Sequence, residues 1–217
     1  MHEKNKIVWF CWLQGMWKAP AVVKACYESL HRNLPDRDIK VIDAENWNEY
    51  VELPEHIVQR WEKKQIPPAH FTDLIRLQLL IKYGGTWIDS NVLCTGLKPE
   101  SEEATSALLV ADLFMFQYTR PGSDKWGGIG NWFISSCTNN EVLMVLRDVY
   151  PQEIAAMPYG YAVPSITLVH HWGEKFDKEK WERFTSKVCF HKLAYSVKKE
   201  ILEGKGNYYH YIVEVKI

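Results

Sequence analysis

The sequence predicts an α/β fold with a mostly parallel central sheet flanked by helices. Three observations carry this. Short apolar runs alternate with longer amphipathic segments in the order strand, helix, strand, helix, helix, strand, the order of layered α/β domains. A helix that is apolar on nearly every side closes on Gly84-Gly85 and leads straight into a short strand. No internal repeat and no low-complexity linker divides the 217 residues, a length that suits one domain.

The elements follow in order. "IVWFCWL" (Ile7 to Leu13) is too short to cross a bilayer and reads as a buried first strand. "APAVVKACYESLHRNL" is an amphipathic helix with Pro20 in its first turn. "DIKVIDA" (Asp38 to Ala44) is the second strand. A polar-faced helix from Glu55 to Lys64 is closed by Ile66-Pro67-Pro68. The apolar helix runs from about Phe71 to Tyr83. "TWID" is the third strand, ending on Asp89. Ala107 to Tyr118 is a fourth strand, Gly127 to Cys137 a loop leading into a fifth, and a helix runs from beyond Asn139 to Val149. From Pro151 onward the pattern assigns no element.

Composition narrows the function classes. Lys plus Arg total 26 against 27 Asp plus Glu, so the concentrated positive charge of a duplex-binding protein is missing and no nucleic-acid partner is expected. A chain of this size buries roughly 70% of its unfolded surface and needs no disulfides for a core. The five cysteines stand singly at 11, 26, 94, 137 and 189, which suggests reduced, mostly buried thiols in a cytoplasmic protein. No signal peptide is evident. Ten Trp and eleven Tyr serve core packing, and they also suit stacking on sugars and bases.

The chemistry gathers around the glycine-closed helix. Asp73 and Arg76 sit three residues apart on one face of a helix that is otherwise apolar, so both charges risk burial and need partners. They can pair with each other, and Asp73 or Thr72 can alternatively cap the helix start. In a polar cleft, the carboxylate accepts ribose hydroxyls and the guanidinium meets sugar hydroxyls or phosphate. Asp89 falls at the carboxyl end of a strand, the edge where open α/β sheets bind ligands. An Asp-x-Asp pair there would hold magnesium or manganese against a diphosphate. This chain has Asp89-Ser90-Asn91, with an amide in the second place, and such a stretch also reads as a plain turn.

The stretches "KIVWFCWLQGMWKAPAVVKACYESL", "PPAHFTDLIRLQLLIKYGGTWIDSNVL", "NWFISSCTNNEVL" and "FHKLAYSVKK" together resemble the capsular polysaccharide synthesis family. Through it they are similar to the wider group of DXD-type sugar transferases, which includes yeast-type α-mannosyltransferases and toxin glucosyltransferase domains. The resemblance implies a GT-A, Rossmann-like nucleotide-sugar-binding fold over a single domain, 1–217. Residues 1–150 would form the donor core and 151–217 an acceptor or closing region. It also implies a nucleotide-sugar donor, a Mn2+ or Mg2+ cofactor and retention of anomeric configuration.

Carried over by the same resemblance, Trp12 is the aromatic that stacks on the base, with a core Trp at a strand end as the alternative. Gln14 and Gly15 lie in the adjoining loop and touch the nucleotide through backbone groups. Asp73 holds ribose or sugar hydroxyls, and Arg76 contacts the donor sugar. Asp89 is the first acid of the metal motif, and Asn91 takes the place of the second. Asn131 is a polar residue near the sugar, or simply a turn asparagine. His171, His170 beside it, and His191 compete to complete the metal shell. The catalytic pair is then Asp89 and Arg76.

The expected activity is metal-dependent transfer of a hexose to a saccharide or lipid-linked saccharide acceptor. It would take place in the cytoplasm, with transient peripheral contact at the inner membrane face. The rivals are a catalytically inactive nucleotide- or sugar-binding module on the same fold and a metal-dependent hydrolase.

Overall fold

The computed structural model describes residues 6–94, 112–119, 126–147 and 190–192. Strand β1 (Ile7–Cys11) leads through a single 3-10 turn (Met16–Lys18) to helix α1 (Ala21–Asn33) and strand β2 (Asp38–Ile42). Helices α2 (Trp47–Tyr50), α3 (Glu55–Glu62) and α4 (Pro68–Tyr83) follow, then strands β3 (Gly85–Ile88) and β4 (Val92–Cys94). Strands β5 (Leu113–Thr119) and β6 (Trp126–Ser136) come next, residues 141–147 are helical, and β7 (Phe190–Lys192) pairs back onto β4.

The main sheet has five strands in the order β2-β1-β3-β6-β5. It is parallel across β2, β1 and β3, and β6 and β5 are added antiparallel. Val8 to Cys11 are all buried, as expected of a central strand covered on both faces. The register sets Cys11 opposite Ile42 and Phe10 opposite Ile88. The chain therefore leaves β1, β2 and β3 at the same level, with Trp12, Asp43 and Asp89 along one carboxyl edge. Because β6 runs the other way, its Phe133 faces Ile88, which brings Asn131 and Trp132 to that same edge.

Helix α4 is buried on nearly every side, and Phe71, Ile75, Leu79 and Leu80 are wholly enclosed. Each such side chain contributes roughly 1.5–3 kcal/mol on leaving water. Phe71 stacks on Trp61 of α3 at 4.2 Å and meets Trp47 of α2 edge-on at 5.2 Å. The helix begins earlier than the sequence reading placed it. Pro67 is its N-cap and Pro68 its first residue, where a missing N–H costs nothing. Thr72 and Asp73 therefore lie inside the helix and do not cap it. At the other end Gly84 has φ 65° and ψ −154°, a region that is essentially glycine's alone.

Two further readings change. The loop expected from Gly127 belongs to β6, which runs unbroken from Trp126. Its pairing with β5 shifts register twice along this stretch, which accommodates the glycines. Strand β2 stops at Ile42 because Asp43 turns the chain, its Oδ1 accepting from the N–H groups of Glu45 at 2.9 Å and Asn46 at 3.0 Å. That turn starts α2, which the sequence reading left out. The helix after Asn139 is present, with Asn140 Oδ1 accepting from the N–H of Val142 at 3.1 Å. Of the proposed fourth strand, residues 107–111 lie outside the described residues, as does nearly all of 151–217. Cys11, Cys26 and Cys94 are buried thiols and Cys137 is partly buried, whereas Cys189 lies outside the described residues.

Candidate functional site

Asp73, Arg76, Asp89 and Asn131 meet in one hydrogen-bonded cluster at the carboxyl edge of β1 and β3. Arg76 is at its centre, 5% exposed. Its Nη1 donates to the Asn131 carbonyl at 2.6 Å and lies 3.0 Å from Asp73 Oδ1. Its Nη2 donates to Asp89 Oδ1 at 2.9 Å. The Asn131 amide donates to Asp73 Oδ1 at 3.1 Å, closing the ring of contacts. The pairing of Asp73 with Arg76 that their spacing allows is present, and a second carboxylate, Asp89 after β3, joins it. A planar guanidinium is the one side chain whose fork spans two carboxylates and a carbonyl together.

Three elements hold this geometry. One turn of α4 separates Asp73 from Arg76. The β3 backbone fixes Asp89, whose N–H donates to the Trp132 carbonyl at 2.8 Å. The antiparallel β6 delivers Asn131. Trp87 also contributes, and the sequence reading did not single it out. Its indole Nε1 donates to Asp89 Oδ1 at 2.9 Å, and the Arg76 guanidinium lies 4.7 Å from the centre of its ring. The signal was available: residues 87 and 89 are two apart on an extended segment, so their side chains share a face. His70 also escaped notice, with its Nδ1 3.9 Å from Asp73 Oδ2.

The turn after Asp89 is closed by the Val92 N–H donating to the Asp89 carbonyl at 3.0 Å. Asp89-Ser90-Asn91 is thus a β-turn as well as the candidate metal motif. Asn91 is partly buried there. His191 lies in β7, opposite Leu93 of β4, so the chain returns beside this turn. His170 and His171 lie outside the described residues. Among the described residues, no three His, Cys, Asp or Glu side chains form a ready metal cluster.

Trp12 follows β1 directly, partly buried against the core. Its backbone N–H donates to the Ile42 carbonyl at 3.0 Å, while its buried indole Nε1 has no hydrogen-bond partner among the described residues. Gln14 is exposed and Gly15 buried, with φ 80° at the turn. The loop thus brings the three residues expected at the nucleotide to the edge that carries Asp89.

Cys11 sits beneath this edge. Burial pushes its thiol up from 9.0 to about 12, against the opposing pull of the Thr72 hydroxyl and the Arg76 charge. The expected result is an unreactive thiol: maleimide at pH 8 should label the partly buried Cys137 and spare Cys11 in the folded protein. The raised value also has a sign for stability. The unfolded thiol ionises first, so Cys11's contribution is complete below pH 9 and is lost as pH climbs toward 12. Rapid labelling of Cys11 under native conditions would contradict this.

Residues 1–155 match the family described as capsular polysaccharide synthesis protein. The chain belongs to that family. The uncharacterized protein At4g19900 of Arabidopsis thaliana is 44% identical to this family member over 36 residues, which are 17% of the chain and 6% of the relative. The chain therefore spans only a small part of that relative's length. Among solved structures, the PaToxG glycosyltransferase aligns with a TM-score of 0.53 at 12% identity, covering 93% of this chain and 79% of its own. A glycosyltransferase involved in glycosylation of the major capsid of PBCV-1 aligns with a TM-score of 0.44 at 11% identity, covering 91% and 98%. The α/β fold of this family member is thus shared with the PaToxG glycosyltransferase, in keeping with the GT-A expectation.

Proposed function

We propose that the protein is a metal-dependent, retaining glycosyltransferase of surface polysaccharide synthesis. It moves a hexose from a nucleotide-diphosphate sugar to a saccharide or lipid-linked saccharide acceptor. The single observation that carries this is the convergence of Asp73, Arg76, Asp89 and Asn131 at the carboxyl edge of the parallel strands, where α/β sheets bind ligands.

The residues take distinct roles. Trp12 stacks on the base, and its unpartnered indole N–H is a donor facing no competitor among the described residues. Gln14 and Gly15 line the nucleotide through their backbone. Asp73 accepts ribose or sugar hydroxyls, and Asn131 orients it. Arg76 fixes both acids. Asp89 and Asn91 are hard oxygen donors of the kind that suit Mn2+ or Mg2+, with His171 or His191 as a further ligand. When bound, such a cation supplies charge neutralisation for the leaving diphosphate. Among the described residues, no helix is long and apolar enough to cross a membrane. We place the reaction in the cytoplasm, with a lipid-linked acceptor reached by transient contact at the membrane face.

The deciding experiment is a panel of nucleotide sugars with Mn2+, scored for binding and for nucleoside diphosphate release, with product configuration read by NMR. Transfer with retention supports the proposal. Binding without any release favours an inactive sugar-binding module, for which the amide at position 91 is the motivating observation. Absence of both binding and release would overturn the proposal.

Base stacking is worth roughly 1–3 kcal/mol per ring. Trp12→Ala should therefore weaken nucleotide binding by about one to two decades without altering sugar preference. Calorimetry that returns the native affinity on a folded variant would make Trp12 a core residue only.

A further inference from the structure

We propose that Arg76 is a positioning residue that acts as the built-in counter-cation of Asp89 and keeps the free protein's hold on a divalent cation weak. This rests on the transferase reading above and concerns the same site.

The argument is one of charge and occupancy. The guanidinium is buried, and its terminal nitrogens are engaged with Asp89 Oδ1, Asp73 Oδ1 and the Asn131 carbonyl. Its remaining nitrogen, Nε, is buried and has no hydrogen-bond partner among the described residues. The two terminal nitrogens are therefore committed to protein partners while no donor is bound. One positive charge set between two carboxylates leaves these three groups at a net charge of minus one, and Asn91 adds none. A divalent cation approaching Asp89 meets an oxygen that already accepts from Arg76 and Trp87, with a fixed positive charge 2.9 Å behind it. Buried like charges repel strongly because little water screens them. A nucleoside diphosphate restores the missing negative charge, so metal and nucleotide strengthen each other's binding, and by the same factor. Arg76 thereby makes metal occupancy depend on the donor.

The test is a Mn2+ titration followed by the EPR signal of the free ion. It is run with and without uridine diphosphate on the native protein, Arg76→Gln and Arg76→Lys. Without nucleotide, Arg76→Gln should bind Mn2+ about tenfold tighter, a factor typical of coupled sites, and its coupling to nucleotide should shrink correspondingly. Arg76→Lys keeps the charge and should keep the weak native affinity. Native or weaker affinity in Arg76→Gln would overturn the proposal. So would equal tightening in both variants, because the shape of the group and not its charge would then be responsible.

Asp73→Asn keeps the side-chain shape and serves if Arg76→Gln does not fold. It removes one of the two acids sharing the guanidinium and should weaken Mn2+ binding about threefold or more. Unchanged affinity there would also overturn the proposal. The two readings fail separately. A protein that binds Mn2+ as expected but transfers no sugar sinks only the transferase reading. One that transfers sugar while Arg76→Gln keeps the native Mn2+ affinity sinks only this one.

Discussion

Asp89→Ala should lower donor turnover by about a hundredfold or more, the usual scale for losing a central electrostatic group. The fold should survive, because Arg76 keeps Asp73 and the Asn131 carbonyl as partners and is not left as a bare buried charge. Among the described contacts, Trp87 Nε1 also gives up its acceptor in a buried setting. An unmet buried donor costs roughly 1–3 kcal/mol. The variant should therefore be folded, moderately less stable and nearly inactive. The check pairs nucleoside diphosphate release in the presence of Mn2+ with a denaturation curve. Native turnover would remove Asp89 from the site, and a collapsed variant would mean that Asp89 holds up the fold.

Gly85→Ala should be the most damaging change for stability. Gly85 opens β3 at φ 92°, and an added Cβ would sit 2.6 Å from the Ile7 carbonyl oxygen and 3.3 Å from its carbon. Those are backbone atoms at the start of β1, and they cannot swing aside without breaking the β1–β3 pairing. Backbone strain and steric conflict together should cost roughly 3 kcal/mol or more. Since β1 and β3 carry Trp12 and Asp89, activity should fall with the fold.

Gly15→Ala is the control. It too has positive φ, 80°, but among the described residues its Cβ would meet only the Trp17 side chain, at 3.0 Å, on a ring that is 76% exposed. Its cost should stay at about 1–3 kcal/mol, that of holding φ 80° and ψ 143° without glycine, with no backbone collision added. Urea denaturation of both variants checks this. Equal stabilities would show that the approach of β1 to β3 is not what requires a glycine at 85.

Much of the candidate cluster was legible because it is local. Asp73 and Arg76 are one helical turn apart, and Asp89 follows a glycine pair and a short strand. Such spacings translate directly into shared faces and element ends. Apart from α2, the elements from β1 to β3 were legible for the same reason, since periodicity and punctuation act over a few residues. Strand β4 was not, because three residues carry no period. Helix α2 was hidden in a four-residue turn that depends on the Asp43 side chain. Strand β6 was masked by its glycines, whose strand conformation depends on the pairing with β5.

By itself, the sequence determined that an acid and a base share one face of an apolar helix in a layered α/β domain, and that Asp89 ends the strand after it. It also determined that a glycine pair makes the sharp entry into that strand. Only the tertiary structure decided where the Arg76 charge goes. Its partners Asp89 and Asn131 lie 13 and 55 residues away along the chain. They reach it because β3 aligns with β1 in parallel and β6 returns antiparallel, a register set by long-range backbone pairing. A buried charge must find partners, and the sequence states that requirement. Which groups meet it depends on which strand ends arrive together, and no local pattern encodes that.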